Sequence, residues 1–246
     1  MFIDVHCHLE MFKDINGLVK ESLLNQTQKM ISSSVDFNSM KKNIEFSKKF
    51  DEIECCLGLH PSNILLMKEK EIDLSIDFLK KNIHCAVALG EIGIDFKHAK
   101  TTEQKEKQIK LYKKQLEIAE KNVLPVVTHS RFAEKKSLEL LSDFKGKVLL
   151  HWFDGNKKTI LDAIRKKYFF SVGPAVIYNP DYLAKAISIP LNLLMLETDS
   201  PVEFNGETAK PFWVKKVAEK LAKEKGISLK EIEEQTTKNA EEFFSI

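Results

Sequence analysis

The chain has 246 residues, 43% of them hydrophobic and 30% charged, with a formal net charge of +2. That apolar content suits one sizeable core and excludes a disordered chain, and the balanced charge removes any global electrostatic case for wrapping nucleic acid. No apolar run reaches the roughly 18 residues that a membrane helix needs, and the opening Met1-Phe2-Ile3-Asp4-Val5-His6 carries no basic leader before an apolar stretch. These features predict a soluble cytoplasmic protein folded as a single domain over residues 1–246, with no membrane and no obligatory protein partner.

In chain order, short apolar or β-branched runs fall near residues 2–6, 29–35, 53–59, 84–90, 124–129, 147–151, 168–172 and 193–197. Charged segments with apolar residues at helical spacing lie between them. Ile109, Tyr112, Leu116 and Ala119 mark a helix over 103–121, and Leu138, Leu141 and Phe144 mark another. Eight strand signals alternating with helical ones predict parallel strands with crossover helices. Eight such units in about 250 residues fit a (β/α)8 TIM barrel, with an open doubly wound sheet as the alternative.

Reactive side chains collect at the ends of these strand signals. His6 and His8 end the first and His60 follows the third. Glu91 and Asp95 follow the fourth, His129 follows the fifth, His151 ends the sixth and Asp199 ends the eighth. In a barrel these ends converge on one face. Imidazoles and carboxylates together suit zinc, manganese or similar ions, whereas magnesium prefers oxygen. His6 and His8, two apart on a strand, point to one side, and Cys7 between them points into the layer beneath the helices. Four imidazoles (His6, His8, His129, His151) and two carboxylates (Glu91, Asp199) are too many for one open site and about right for two ions. Glu91, midway through the set, is the natural bridge. Two ions can activate a water and steady both oxygens of an in-line displacement, with Asp199 accepting the proton as general base.

Other residues call for plainer readings. Glu197, two before Asp199, is expected to face inward and hydrogen-bond a ligand rather than act as one. His84 and His98 read as surface residues, and Glu10 as a local cap or a group orienting a ligand. Trp152 and Phe153 are expected either to stack on a substrate base or simply to pack. Cys7, Cys55, Cys56 and Cys85 form no C-x-x-C pair and read as buried reduced thiols.

The ordered segments resemble the TatD-related deoxyribonucleases, a branch of the amidohydrolase-like metal-dependent hydrolases. The resemblance runs through Asp4-Val5-His6-Cys7-His8-Leu9, Gly58-Leu59-His60-Pro61 and Gly90-Glu91-Ile92-Gly93-Ile94-Asp95. It continues through Leu124 to Arg131, then His151 with Phe153 and Gly155, then Glu197-Thr198-Asp199-Ser200-Pro201. It implies a distorted TIM barrel holding two divalent ions. His6 and His8 would hold the first with Asp199, Glu91 would bridge, and His129 and His151 would hold the second. His60 and Arg131 would contact substrate phosphate. The implied activity is metal-dependent hydrolysis of DNA, as a 3′→5′ exonuclease on single strands. Two departures stand out. Val202–Pro211 lacks the arginine common in the family's longer loop and carries Glu203 and Glu207, and Trp152 and Asp154 replace commoner small residues.

Two other readings use the same residues. One is a metal-dependent amidohydrolase, lactonase or phosphotriesterase acting on a small molecule, since fold and metal do not choose the substrate. The other is a non-catalytic metal-binding scaffold.

Overall fold

The computed structural model describes all 246 residues. Eight strands, β1 (Phe2–Cys7), β2 (Thr27–Ser33), β3 (Ile53–Leu57), β4 (Ala88–Asp95), β5 (Val126–Arg131), β6 (Val148–Leu150), β7 (Phe169–Val172) and β8 (Leu194–Leu196), pair in parallel in sequence order. Beyond the formal strand ends the ring is joined. The Asp199 N–H donates to the His6 carbonyl at 2.9 Å, and the His8 N–H to the Ser200 carbonyl at 2.7 Å. Buried Asp4 adds a clasp by accepting from the Thr198 N–H at 3.0 Å and from the Thr198 hydroxyl. The result is a (β/α)8 barrel with helices between its strands. No helix is long and apolar enough to cross a membrane.

The interior is packed. Ile3, Val5, Ile31, Cys56, Ala88, Val127, Leu149 and Met195 meet inside the ring, and Ala240, Phe243 and Phe244 of the helix Leu229–Phe244 cap it from below. A larger cluster of 45 residues fills the layer between strands and helices. The helix Thr102–Lys121 matches its expected span to within one residue, starting on a Thr101 capping box with Gln104. The segment expected to reach Phe144 is shorter, Glu134–Leu140.

The fourth strand departs most from expectation. Ile83–Cys85 forms a tight 3-10 turn, and β4 runs on to Asp95, so Glu91 and Asp95 lie in the strand rather than after it. Two irregularities in register aim the site. One lies between Asp4 and Cys7 in β1, the other between Leu89 and Ile92 in β4. Each shifts the alternation, so that His6 follows interior-facing Val5, and Glu91 swings inward above Ala88. Cys7 does face the outer layer, packed with Leu9, Leu18 and Met30. Gly90 and Gly93 permit this close fit. A Cβ on Gly90 would stand 2.7 Å from the Val127 Cβ, and one on Gly93, at φ 144°, 2.0 Å from the His129 carbonyl oxygen.

Candidate metal centre

Glu91 is 3% exposed and lies among five imidazoles. Its two oxygens face different sets. Oε2 is 3.3 Å from His6 Nε2 and 3.5 Å from His8 Nε2. Oε1 is 2.7 Å from His129 Nδ1, 3.3 Å from His60 Nε2 and 3.8 Å from His151 Nε2. Asp199 Oδ1 closes the first set, 3.2 Å from His8 Nε2 and 3.6 Å from His6 Nε2, and reaches His151 Nε2 at 3.9 Å. Three groups of donors lie within 4.8 Å of one another: His6, His8 and Glu91; His6, His151 and Asp199; and His60, Glu91 and His129.

The far side of each ring is held. The Ser33 hydroxyl meets His6 Nδ1 at 3.1 Å, and His8 Nδ1 donates to the Ser33 carbonyl at 3.0 Å. His151 Nδ1 donates to Glu197 Oε2 at 2.7 Å. Glu197 is itself fixed by the Trp152 N–H at 3.1 Å and the Ser171 hydroxyl. Such partners set the tautomer, so that in a neutral ring the inward nitrogen carries the lone pair. His6 Nε2 is buried with no hydrogen-bond partner. A buried, unpartnered ring nitrogen among carboxylates is what a cation would satisfy. The donor set therefore fits divalent ions.

His129 and His60 differ from the others. His129 Nε2 lies 3.3 Å from Asp95 Oδ2, which places Nδ1, not Nε2, toward Glu91. Asp95 is 1% exposed, and besides His129 it accepts from Ser62 Oγ at 3.1 Å and His98 Nδ1 at 2.7 Å. Its anchoring role was not read from the sequence; its parity with Gly93 and Glu91 on β4 was the available signal. His98, half exposed as expected, is thus wired to the site through Asp95. In His60, Nδ1 accepts the Ser62 N–H at 3.1 Å, so in a neutral ring Nε2 carries the proton and donates to Glu91.

Arg131 ends β5 with its side chain exposed. It pairs with no acid, whereas Arg165 is bound to Asp162. His84 is exposed. Glu10 lies beside His8, its Oε1 3.8 Å from Nδ1, and both its buried oxygens lack a hydrogen-bond donor. Phe153 is buried and packs edge-on against Phe170. Trp152 stacks on Phe204, with ring centroids 5.9 Å apart.

The electrostatics follow from this crowding. Burial opposes charge on His8, but hydrogen bonding and charge from Asp199, with Glu91 and Glu10, lift it to about 9. Burial likewise opposes charge on His151, and Glu197 and Asp199 lift it to about 10. For His6 and His60 burial prevails, aided by the neighbouring imidazoles, and both are lowered. Glu91, despite its burial, is held well below the usual carboxylate range by His60 and His6. Asp199 is lowered against its own burial by His151 and His8.

A pH effect follows. Without a cation, His8 and His151 carry protons at pH 7, and a metal must displace them to reach Nε2. Metal affinity is expected to rise between pH 6.5 and 8.5, by about tenfold per unit for each proton displaced. The raised histidines stabilise the metal-free fold fully below their unfolded value near 6.5. That contribution is lost as pH rises through about 9 to 10. The Tm gain on adding zinc should therefore grow with pH over this range. Calorimetric titration in buffers of different ionisation enthalpy measures the released protons, and a pH-independent affinity would place His8 and His151 off the ions.

Known proteins share this architecture. The family model described as TatD related DNase matches residues 3–245. Human deoxyribonuclease TATDN3 is 30% identical over 257 residues, covering 98% of this chain and 94% of its own. The metal-dependent hydrolase MJ1582 of Methanocaldococcus jannaschii is 28% identical over 247 residues, covering 99% of this chain and 96% of its own. The crystal structure of YjjV, a TatD homolog from Escherichia coli, superposes with a TM-score of 0.87 at 24% identity, covering 100% of this chain and 98% of that one. A match that begins at residue 3 and ends at 245 takes in all eight strands of the barrel but for the first residue of β1, and the chain belongs to the family of TatD related DNases.

Proposed function

We propose that this chain is a metal-dependent deoxyribonuclease that uses two divalent ions to hydrolyse phosphodiester bonds. The observation that carries the two-ion reading is the division of Glu91: Oε2 faces His6 and His8, and Oε1 faces His129 and His151. His6, His8 and Asp199 would hold one ion, His129 and His151 the other, and Glu91 both. Zinc or manganese suits this nitrogen-rich set better than magnesium. When bound, the ions supply Lewis acidity toward the phosphate and toward an attacking water.

The chain's own residues do the rest. Asp199, 15% exposed at the mouth, accepts the proton of the attacking water. His60, whose tautomer presents an N–H inward, donates to a phosphate oxygen rather than ligating an ion. Unpaired Arg131 offers a bidentate fork to two phosphate oxygens. Glu197 and Asp95 keep His151 and His129 in their working orientations. The substrate we infer is a single DNA strand, shortened from its 3′ end by one catalytic domain spanning residues 1–246 in the cytoplasm. The deoxyribonuclease name of the human relative supports the substrate. The exposed Glu203 and Glu207 beside the mouth favour a small uncharged substrate instead.

One assay decides. Metal-loaded protein is given single-stranded oligodeoxynucleotides labelled at either end, alongside lactones, amides and a phosphotriester. The nuclease reading expects stepwise shortening from the 3′ end and a steep loss of activity with salt. Turnover of the small molecules alone would overturn it.

A further inference from the structure

Eight non-glycine residues have left-handed backbone: Gln26, Val123, Phe132, Trp152, Lys167, Asp199, Asn205 and Ser245. Five have ordinary reasons. Gln26, Val123, Lys167 and Ser245 end helices, where this conformation is a common cap. Asn205 turns the hairpin between Glu203–Phe204 and Glu207–Thr208. The other three, Phe132, Trp152 and Asp199, all follow barrel strands at the mouth.

Two of these three are compensated by what they touch. Asp199 tolerates the conformation as an Asp and faces the imidazoles. Trp152, at φ 38°, gives its N–H to Glu197 and packs its ring on Phe204 and Tyr182. Phe132, at φ 56°, has no such return for its ring, which is 72% exposed and stacks on no other aromatic. Only its N–H is engaged, by Glu134 Oε1 at 3.1 Å. A bulky residue in this region is uncommon, and the left-handed turn throws the ring outward as the chain leaves β5. It stands directly after the unpaired Arg131 and three residues after His129, within about 11 Å of its Cα along the chain.

We propose that Phe132 is a nucleobase platform. A base of the substrate strand stacks on its exposed face while the adjacent Arg131 takes a phosphate, so the pair reads one nucleotide beside the metal centre. This rests on the nuclease reading above and deepens it. An exposed aromatic next to a free guanidinium suits a strand with bases and phosphates, and stacking of this kind is indifferent to base identity.

The test compares a single-stranded oligodeoxynucleotide with the same backbone carrying abasic residues near the 3′ end. The quantity read is the ratio of KM for the abasic strand to KM for the base-bearing one. In Phe132→Gly this preference should fall about tenfold, and in Phe132→Trp it should be kept. The Tm of Phe132→Gly should not fall, because glycine suits the left-handed backbone and the ring is mostly exposed and stacks on no other aromatic. Val123→Gly, likewise left-handed and more exposed still but at the opposite end of β5, is the control and should keep the preference. An unchanged preference in Phe132→Gly, equal losses on both strands, or a lowered Tm would each overturn the proposal. So would a changed oligomeric state with unchanged preference, which would assign the ring to contact between copies. Wild-type protein that cleaves neither strand would remove the nuclease reading and this proposal together, whereas wild-type cleavage with an indifferent Phe132→Gly removes this one alone.

Discussion

Replacing Glu91 with glutamine is expected to lower turnover about a thousandfold or more and to drop bound metal well below the wild-type content. The substitution keeps size and shape but changes three things at once. It removes a buried negative charge that faces His6, His8, His60, His129 and His151. It puts an NH2 group where one oxygen had faced an imidazole lone pair. It also leaves only one oxygen for two sets of ligands. The raised histidines lose part of their support, since Glu91 charge contributes to holding up His8, His129 and His151. Elemental analysis beside a hydrolysis assay checks the result. A Glu91→Gln protein with the wild-type metal content and turnover within tenfold would mean that Glu91 bridges nothing. Glu91→Asp refines the test: it retains the charge but falls short of one set, so it should lose metal less completely.

The parallel alternation was legible because each βα unit buries its apolar face against the next, and that imposes the periodicities seen around Val126–Arg131 and Thr102–Lys121. The convergence of His6, His8, Glu91, His129, His151 and Asp199 follows from barrel closure, so strand-end position was enough to gather them. The register irregularities of β1 and β4 were not legible. Strict alternation from Val5 would have turned His6 outward, and a strand ending at Gly90 would have left Glu91 in a loop. Only the contacts of Gly90 and Gly93 with β5 show why β4 bends where it does. The orientation of the imidazoles was equally hidden. Whether His129 presents Nδ1 or Nε2 is decided by Asp95, and whether His60 presents a proton by the Ser62 amide. Neither follows from the spacing of histidines along the chain.

Asp199→Asn should keep the fold and lower kcat by about a hundred- to ten-thousandfold, the range of a general base. Three features of the residue argue for this. Its backbone is left-handed at φ 51°, which asparagine tolerates as well as aspartate, so no new strain arises. Its N–H to the His6 carbonyl and its carbonyl to the Val202 N–H are main-chain bonds that the substitution does not touch. Its side chain remains 15% exposed, so water reaches the oxygen that would take the proton. With metal bound the Tm should accordingly move little, while the metal-free protein loses the support that Asp199 gives protonated His8 and His151; Asp199→Ala, which forfeits the left-handed tolerance too, should lower the Tm in both states. Because Oδ1 also faces His6 and His8, metal loss must be told apart from loss of the base. The assay is therefore run across rising metal concentration. If saturating metal restores Asp199→Asn to near the wild-type rate, the residue serves as a ligand and the base lies elsewhere. If turnover stays low with full metal content, the missing function is proton acceptance, since the asparagine oxygen can still face a cation but cannot take the proton that hydrolysis must release.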